Sequence, residues 1–313
     1  MLHTREEAAA AAGIAPDGVD RIWRAAGLPD VDPGMPYFSD LDVEILRAFA
    51  VGSELFGEEA VSRFTRVMGT SLSSIAEAAL TMSVANLSGP MALAGADEAT
   101  VSLASSRARA ALDLVPSVLE GLFPHHVEMA NRRFELSRPE GALRTVKLAV
   151  AFLDLVGFTE RSGGLTTEAL AIAVADFETL ASDVTAAHDA RLVKMIGDEV
   201  MYVATDAVLA AEIALDLRDA VAAHPVLADL RGGLVFGEVV AQDGDYYGPE
   251  VNLASRIVGE AGPGEILASA AVAEALAAQD LLVTAARGER EVRGFERPVA
   301  VFAVNRSSGR SQL

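Results

Sequence analysis

The 313-residue chain contains no cysteine, which excludes disulfides, thiol nucleophiles and zinc sites built on thiolates. It also lacks an uncharged apolar run of the roughly 18 residues that a membrane-spanning helix needs. The best candidate, 76–94, is interrupted by Glu77, Asn86, Gly89 and Pro90. Residues 1–7 have no apolar core like that of a signal peptide. These absences favour a protein of the reducing cytoplasm that has no membrane span.

Basic residues are scarce, because 25 Lys and Arg face 45 Asp and Glu and leave a net charge of −20. Such a charge argues against a general binder of nucleic acid or of anionic membranes. The hydrophobic fraction of 51% is ample for buried cores, and the length suits two domains. The change in apolar pattern predicts an all-α region with its connector at 1–136, a linker at 137–145, an α+β domain at 146–305 and a disordered tail at 306–313.

The first 47 residues predict short helices, with Thr4 and Glu7 forming a capping box. The pattern from 6 to 28 resembles a winged helix-turn-helix of the MerR type. DNA binding would require a basic recognition surface, yet this segment carries acidic residues such as Asp17, Asp20 and Asp30. We therefore favour a small helical domain of related shape that does not bind DNA.

The stretch 70–96 is rich in Ala, Ser and Met and poor in charge. Plain buried core is the favoured interpretation; close helix packing and the wall of a pocket for an apolar small molecule are the alternatives.

Pro116 and Pro124 predict a connector broken into segments. His125 and His126 lie in this connector, and histidine is the residue type most often used as a switch near physiological pH, so a regulatory response to pH is one hypothesis. Two solvated histidines are the equally good alternative.

From residue 145 the pattern alternates between strands and helices, which predicts an α+β sheet with a ferredoxin-like β-α-β-β-α-β core. Asp154 follows the buried run 148–153, and Asp198 follows Gly197 at the tip of a predicted hairpin. If their strands are neighbours, the two carboxylates lie side by side and can bind Mg²⁺ with water and phosphate oxygens. A helix N-cap and a turn residue are the alternative interpretations. Gly157 permits a tight turn at which the amides of 156–159 face phosphate oxygens.

Four further polar residues complete the pattern. Asn252 and Arg256 are four positions apart and therefore share one helix face. Arg provides a planar charge for a phosphoryl group, and Asn can hold a ribose oxygen. Lys194 and Asp245 offer a donor and an acceptor that could together read the edge of adenine, whereas guanine presents the opposite pattern.

Three motifs carry a family resemblance: F-x-D-x-x-G-F-T at 152–159, K-x-x-G-D at 194–198 and D-Y-Y-G-x-x-V-N-x-A-S-R at 245–256. They resemble the catalytic domain of class III adenylyl cyclases. The resemblance implies two Mg²⁺ or Mn²⁺ ions at Asp154 and Asp198, adenine selection by Lys194 and Asp245, transition-state contacts from Asn252 and Arg256, and further substrate contacts from Gly157, Phe158, Thr159 and Arg293.

The same resemblance implies that ATP is converted to 3′,5′-cyclic AMP and pyrophosphate by a head-to-tail homodimer, with each site shared between two chains. The helical front half is similar to regulatory domains of the actinobacterial branch of this family, which are linked to autoinhibition and pH response. A guanylyl cyclase and a non-catalytic sensory module are the alternatives. The Gly-Gly-Asp/Glu-Glu-Phe signature of diguanylate cyclases is absent.

Overall fold

The computed structural model describes residues 1–139, 144–158, 166–227 and 229–307, without the side chain of Thr167. Thr159, residues 140–143 of the predicted linker and residues 308–313 of the predicted tail lie outside this range. The chain divides into two compact units, Met1–His126 and Val127–Leu313. This division falls ten residues before the predicted boundary between 136 and 137. No helix in the described ranges combines the length and apolar character needed to cross a bilayer.

The first unit is built from helices and one short two-stranded ladder. Its elements are β1 (Leu2–His3), α1 (Arg5–Ala12), α2 (Pro16–Ala25), β2 (Phe38–Ser39), α3 (Asp40–Phe56), α4 (Glu58–Ser83), a π-helical turn (Val84–Ser88), α5 (Gly89–Leu93), α6 (Glu98–Leu112) and the start of α7 (Val115–Ser137). The predicted capping box of Thr4 and Glu7 is present at α1. A small core gathers around Trp23, Phe38 and Leu46, which are nearly or completely buried.

The arginines of α1 and α2 are paired with acidic side chains, which makes this surface unfavourable for binding DNA. Arg5 contacts Asp20 at 2.9 Å and Arg21 contacts Asp17 at 2.8 Å. Ion pairs of this kind neutralise the charge that would face a phosphate backbone.

The expectation of plain core at 70–96 is wrong. The stretch is helical, but most of its side chains are exposed: Leu80 is 56% exposed, Met82 58% and Leu93 91%. Composition alone predicted burial, whereas burial requires a facing element, and none covers these side chains within the unit.

The predicted segmentation of the connector is also wrong. A single helix, α7, runs through Pro124 from Val115 to Ser137. Pro116 lies in its first turn, where a missing N–H removes no intrahelical hydrogen bond. Proline weakens a helix locally without obliging the chain to end it, and here the helix continues.

The second unit confirms the β-α-β-β-α-β core. Its elements are β3 (Thr145–Leu155), α8 (Thr167–Ala187), β4 (Arg191–Ile196), β5 (Glu199–Ala204), α9 (Ala207–Ala223), β6 (Leu230–Gln242), β7 (Asp245–Tyr247), α10 (Pro249–Glu260), β8 (Ile266–Ser269), α11 (Ala270–Leu276), β9 (Leu282–Arg290) and β10 (Val299–Arg306). Within the described ranges the strand order is β4-β5-β3-β6-β8-β10-β9, with β7 paired to β6. β6 and β8 are parallel, and the other pairs are antiparallel.

Each face of this sheet has its own core. Helices α8, α9 and α11 cover one face, where Phe177, Tyr202 and Leu215 are fully buried. Helix α10 covers part of the other face through Ala254, Ile257 and Val258. Because side chains alternate along a strand, β3 contributes Leu153 to the first core and Phe152 to the second.

Candidate active site

The two predicted metal ligands line one cavity at the end of β3. Gly197 has a φ of +68°, which closes the two-residue turn between β4 and β5 and places Asp198 at its tip. The neighbouring strand is β3, and the Leu155 amide donates to the carbonyl of Asp198 at 3.1 Å. The cavity of about 430 Å³ is lined by Asp154, Leu155, Val156, Gly157, Phe158, Asp198 and Arg231. The structure thus confirms the predicted proximity of Asp154 and Asp198.

Arg231, at the start of β6, was missed by sequence reasoning. It lies directly opposite Asp154 in the β3–β6 register. Its Nε and Nη2 both donate to Oδ2 of Asp154, at 2.8 and 2.6 Å. Arg231 is the one charged residue in 230–237, which hinted at a special position. Only the strand register shows that it faces the carboxylates.

Glu199, the first residue of β5, was also missed. It lies opposite Asp154 on the other neighbouring strand. Burial, followed by the negative charges of Asp154 and Asp198, raises the pKa of Glu199 to about 7. Burial and then the Asp154 charge also raise the pKa of Asp198. Among the described residues, three carboxylates therefore face one guanidinium, that of Arg231, and this excess of negative charge favours binding of cations.

The turn after β3 differs from the prediction in one respect. The Val156 amide donates to the carbonyl of Asp229 at 2.8 Å, so it is not free to contact a phosphate oxygen. Gly157, with a φ of +66°, makes the predicted tight turn, and Gly157 and Phe158 line the cavity.

Lys194 and Asp245, predicted to read the base, contact each other. Nζ of Lys194 is 2.5 Å from Oδ2 of Asp245, and both side chains are partly buried. Oδ1 of Asp245 accepts the Tyr246 amide at 2.8 Å, which fixes the carboxylate. The adjacent turn is held by Arg191, whose Nη2 donates to the Gly244 carbonyl at 2.5 Å. Neither Lys194 nor Asp245 lines the carboxylate cavity.

Asn252 and Arg256 are both exposed on α10, on the side opposite the helix's buried residues. Neither lines the carboxylate cavity. Arg293, in the turn between β9 and β10, is exposed, and the next residue, Gly294, lies against Arg256.

His125 and His126 are exposed on α7. Neither imidazole has an ion pair or a hydrogen bond in the part of the chain that the structure describes. Their position therefore fits two solvated histidines at least as well as a regulatory switch.

The acidic cavity fits a divalent cation in the chemistry of its donors. Hard carboxylate oxygens suit Mg²⁺ and Mn²⁺, which keep several positions for water or phosphate. Arg231 engages only Oδ2 of Asp154, and Oδ1 makes no hydrogen bond to the residues that the structure describes. Among those residues no group of three or more His, Cys, Asp or Glu is arranged to hold an ion alone. Asp154 and Asp198 therefore offer hard oxygen donors of the type that a divalent cation prefers.

A second, apolar cavity of about 540 Å³ lies in the first unit between α2, α3 and α4. Its wall includes Trp23, Phe49, Met68 and Leu72. Nε1 of Trp23 is buried and has no hydrogen-bond partner in the described structure. A buried unpaired donor is costly to stability.

Comparison with known proteins agrees with this architecture. Residues 142–306 match the family model of the adenylate and guanylate cyclase catalytic domain. An uncharacterized protein of Mycobacterium tuberculosis is 34% identical over 97% of this chain and 79% of its own length. An adenylate cyclase of Streptomyces coelicolor is 32% identical over 88% of this chain and 71% of its own length. A pH-sensitive adenylate cyclase of M. tuberculosis is 35% identical over 53% of this chain and 42% of its own length. Since the catalytic-domain match alone covers more than half of its residues, this chain is an enzyme of the class III family of adenylate and guanylate cyclases.

Proposed function

We propose that the chain is a cytoplasmic adenylyl cyclase that converts ATP to 3′,5′-cyclic AMP and pyrophosphate. The observation that carries the proposal is the acidic cavity of Asp154 and Asp198, with Arg231 across from Asp154. Its negative charge suits a cation-bound triphosphate, and the guanidinium suits a phosphate oxygen. The relative from S. coelicolor carries the name adenylate cyclase, which supports the choice of reaction.

In this mechanism the 3′-hydroxyl of ATP attacks the α-phosphorus in line, the hydroxyl proton passes to solvent water, and pyrophosphate leaves with the electron pair of the broken P–O bond. Asp154 and Asp198 would hold two Mg²⁺ or Mn²⁺ ions, which when bound neutralise the triphosphate and make the hydroxyl more acidic. Arg256 stabilises the charge that develops on the phosphoryl group, and Asn252 orients the ribose. Arg293 is a further candidate for a phosphate contact.

We further propose that two copies of the chain complete each site. The support is the separation of the residues within one chain: the carboxylates line the cavity, while Asn252 and Arg256 are exposed elsewhere. A two-fold dimer would bring one copy's α10 to the other copy's cavity and form two equivalent sites.

The test mixes two inactive variants, Asp154→Asn and Asn252→Ala. Random pairing of equal amounts makes half of the dimers mixed, and each mixed dimer has one intact site of two. Activity should then return to about a quarter of the wild-type value. A mixture that stays inactive, although each variant forms mixed dimers with the wild-type chain, would rule out the shared site.

The proposed base selectivity rests on the Lys194–Asp245 contact. The alternative is a guanylyl cyclase, and comparing turnover of ATP and GTP under the same conditions decides between them. We expect Lys194→Met to reduce ATP turnover and narrow the preference for ATP over GTP, because a partly buried charged hydrogen bond is lost. A non-catalytic module would turn over neither nucleotide.

Regulation by the first unit is a separate proposal. The M. tuberculosis relative described as pH-sensitive supports a response to pH, and His125 and His126 are the candidate groups. If replacing both histidines with Gln leaves the pH–activity profile unchanged, they are not the groups that respond to pH.

For the first unit we propose an apolar small-molecule ligand in the apolar cavity, where it would pack against the indole of Trp23, one of the lining residues. Native mass spectrometry of the purified protein, compared with a Trp23→Phe variant, tests this binding. Equal ligand retention by both proteins would remove the role of the indole.

A further inference from the structure

The guanidinium of Arg256 packs against a glycine in another element. This glycine is Gly294, in the turn between β9 and β10. We propose that Gly294 is a positioning residue: its missing side chain leaves the space in which the Arg256 guanidinium lies. The inference rests on the proposed function, in which Arg256 stabilises the transition state.

The distances define this space. A Cβ atom added to Gly294 would lie 2.6 Å from Nη1 of Arg256, 3.4 Å from its Cζ and 3.5 Å from its Nη2. These three atoms are the nearest to the added carbon, so Arg256 alone sets the limit. Gly294 also has a φ of +86°, in the left-handed region that favours glycine.

A methyl group at position 294 should therefore displace the guanidinium and leave the fold in place. The obstructing atoms belong to the mobile end of a long side chain on the exposed face of α10, not to backbone. Restoring an ordinary contact of about 3.4 Å requires Nη1 to move by roughly 0.8 Å. Catalytic groups tolerate displacements of about 0.5 Å, and 1 Å can reduce a rate by about a hundredfold.

The same hairpin offers a matched control in Gly288. Its φ of +84° is nearly equal to that of Gly294, so Gly288→Ala also places a side chain at a left-handed φ. The Cβ added there would come no closer than 3.7 Å to its nearest neighbour, Nη1 of Arg290, which is an ordinary contact. The clash with Arg256 is then the difference in side-chain contact that separates the two alanine variants.

The experiment measures kcat, KM for ATP and the thermal midpoint of Gly294→Ala, Gly288→Ala, Arg256→Ala and the double variant Gly294→Ala/Arg256→Ala, all in the full chain. We expect Gly294→Ala to lower kcat by about 10- to 100-fold with little change in KM. Its thermal midpoint should match that of Gly288→Ala, which keeps kcat near the wild-type value. Because Gly294 acts through Arg256, the double variant should have the kcat of Arg256→Ala.

Equal kcat for the two glycine variants, or a double variant much slower than Arg256→Ala, would overturn the inference. If Gly294→Ala unfolds, the double variant lacks the clashing guanidinium and should recover the midpoint of Gly288→Ala; failure to recover also overturns it. A fully active Arg256→Ala would instead refute the proposed role of Arg256, and the inference with it. If Arg256→Ala loses activity and Gly294→Ala does not, the proposed function remains and the positioning role of Gly294 is refuted.

Discussion

Two glycines on β6, Gly233 and Gly237, face the same helix, yet replacement by alanine should destabilise the protein far more at Gly233 than at Gly237. A Cβ added to Gly233 would lie 2.5 Å from the carbonyl oxygen of Ala254 and 2.9 Å from the amide nitrogen of Val258, both backbone atoms of α10. A Cβ added to Gly237 would lie 2.7 Å from Cγ of Glu250, which belongs to a partly exposed side chain. Gly233→Ala must therefore move the helix, whereas Gly237→Ala need only turn a side chain.

The expected loss of stability follows from these distances. An ordinary contact of about 3.4 Å requires α10 to retreat by roughly 0.9 Å at Gly233, against a well-packed core. Overpacking costs about 1–3 kcal/mol, and we take about 3 kcal/mol because the obstacle is backbone. For a unit of this size, that lowers the thermal midpoint by about 6–12 °C. In Gly237→Ala, the free-energy cost of moving the Glu250 side chain is offset by a gain of about 0.4–1 kcal/mol, because alanine reduces the conformational entropy of the unfolded chain. The thermal midpoint should therefore change by about 3 °C or less.

Circular dichroism and calorimetry of the full chain measure the midpoint. Trp23 is the single tryptophan and lies in the first unit, so its fluorescence follows that unit and should change less. Because α10 carries Asn252 and Arg256, Gly233→Ala should also lose cyclase activity well below its midpoint. Equal midpoints for the two variants would show that α10 does not pack on β6 as described.

Two further predictions concern charges. In the metal-free protein the folded-state pKa of Glu199 is about 7, above the reference value of 4.5, so folding favours its protonated form and stability should fall as pH rises from about 4.5 to 7. Glu199→Gln should flatten that dependence in urea unfolding curves, and an unchanged slope would contradict the shift. Burial, and then the charge of Arg191, lowers the pKa of Arg133, whose guanidinium has no hydrogen-bond partner among the described residues. We therefore expect Arg133→Met to raise the thermal midpoint by about 2–4 °C. The control is Arg132→Met, which removes an exposed ion pair to Asp189 and should change the midpoint by less than about 2 °C; equal shifts would refute the argument.

The sequence by itself determined the catalytic fold and much of the candidate site. Strand and helix periods, together with the glycine turns, predicted the β-α-β-β-α-β order, because these signals are local. Asp154 at a strand end and Asp198 at a hairpin tip could be placed together for the same reason. The spacing of Asn252 and Arg256 was enough to put both on one helix face.

Only the tertiary structure decided which residues lie against the side chains of the candidate site. Arg231 and Glu199 join Asp154 through strand register, which depends on pairing between distant parts of the chain. The exposure of 70–96 could not be read from composition, because burial depends on whether another element covers a helix face. The contact of Gly294 with Arg256 joins a turn to a helix, and no local pattern records it. Local sequence fixes conformation and spacing, whereas the neighbours of a side chain are set by how the whole chain packs.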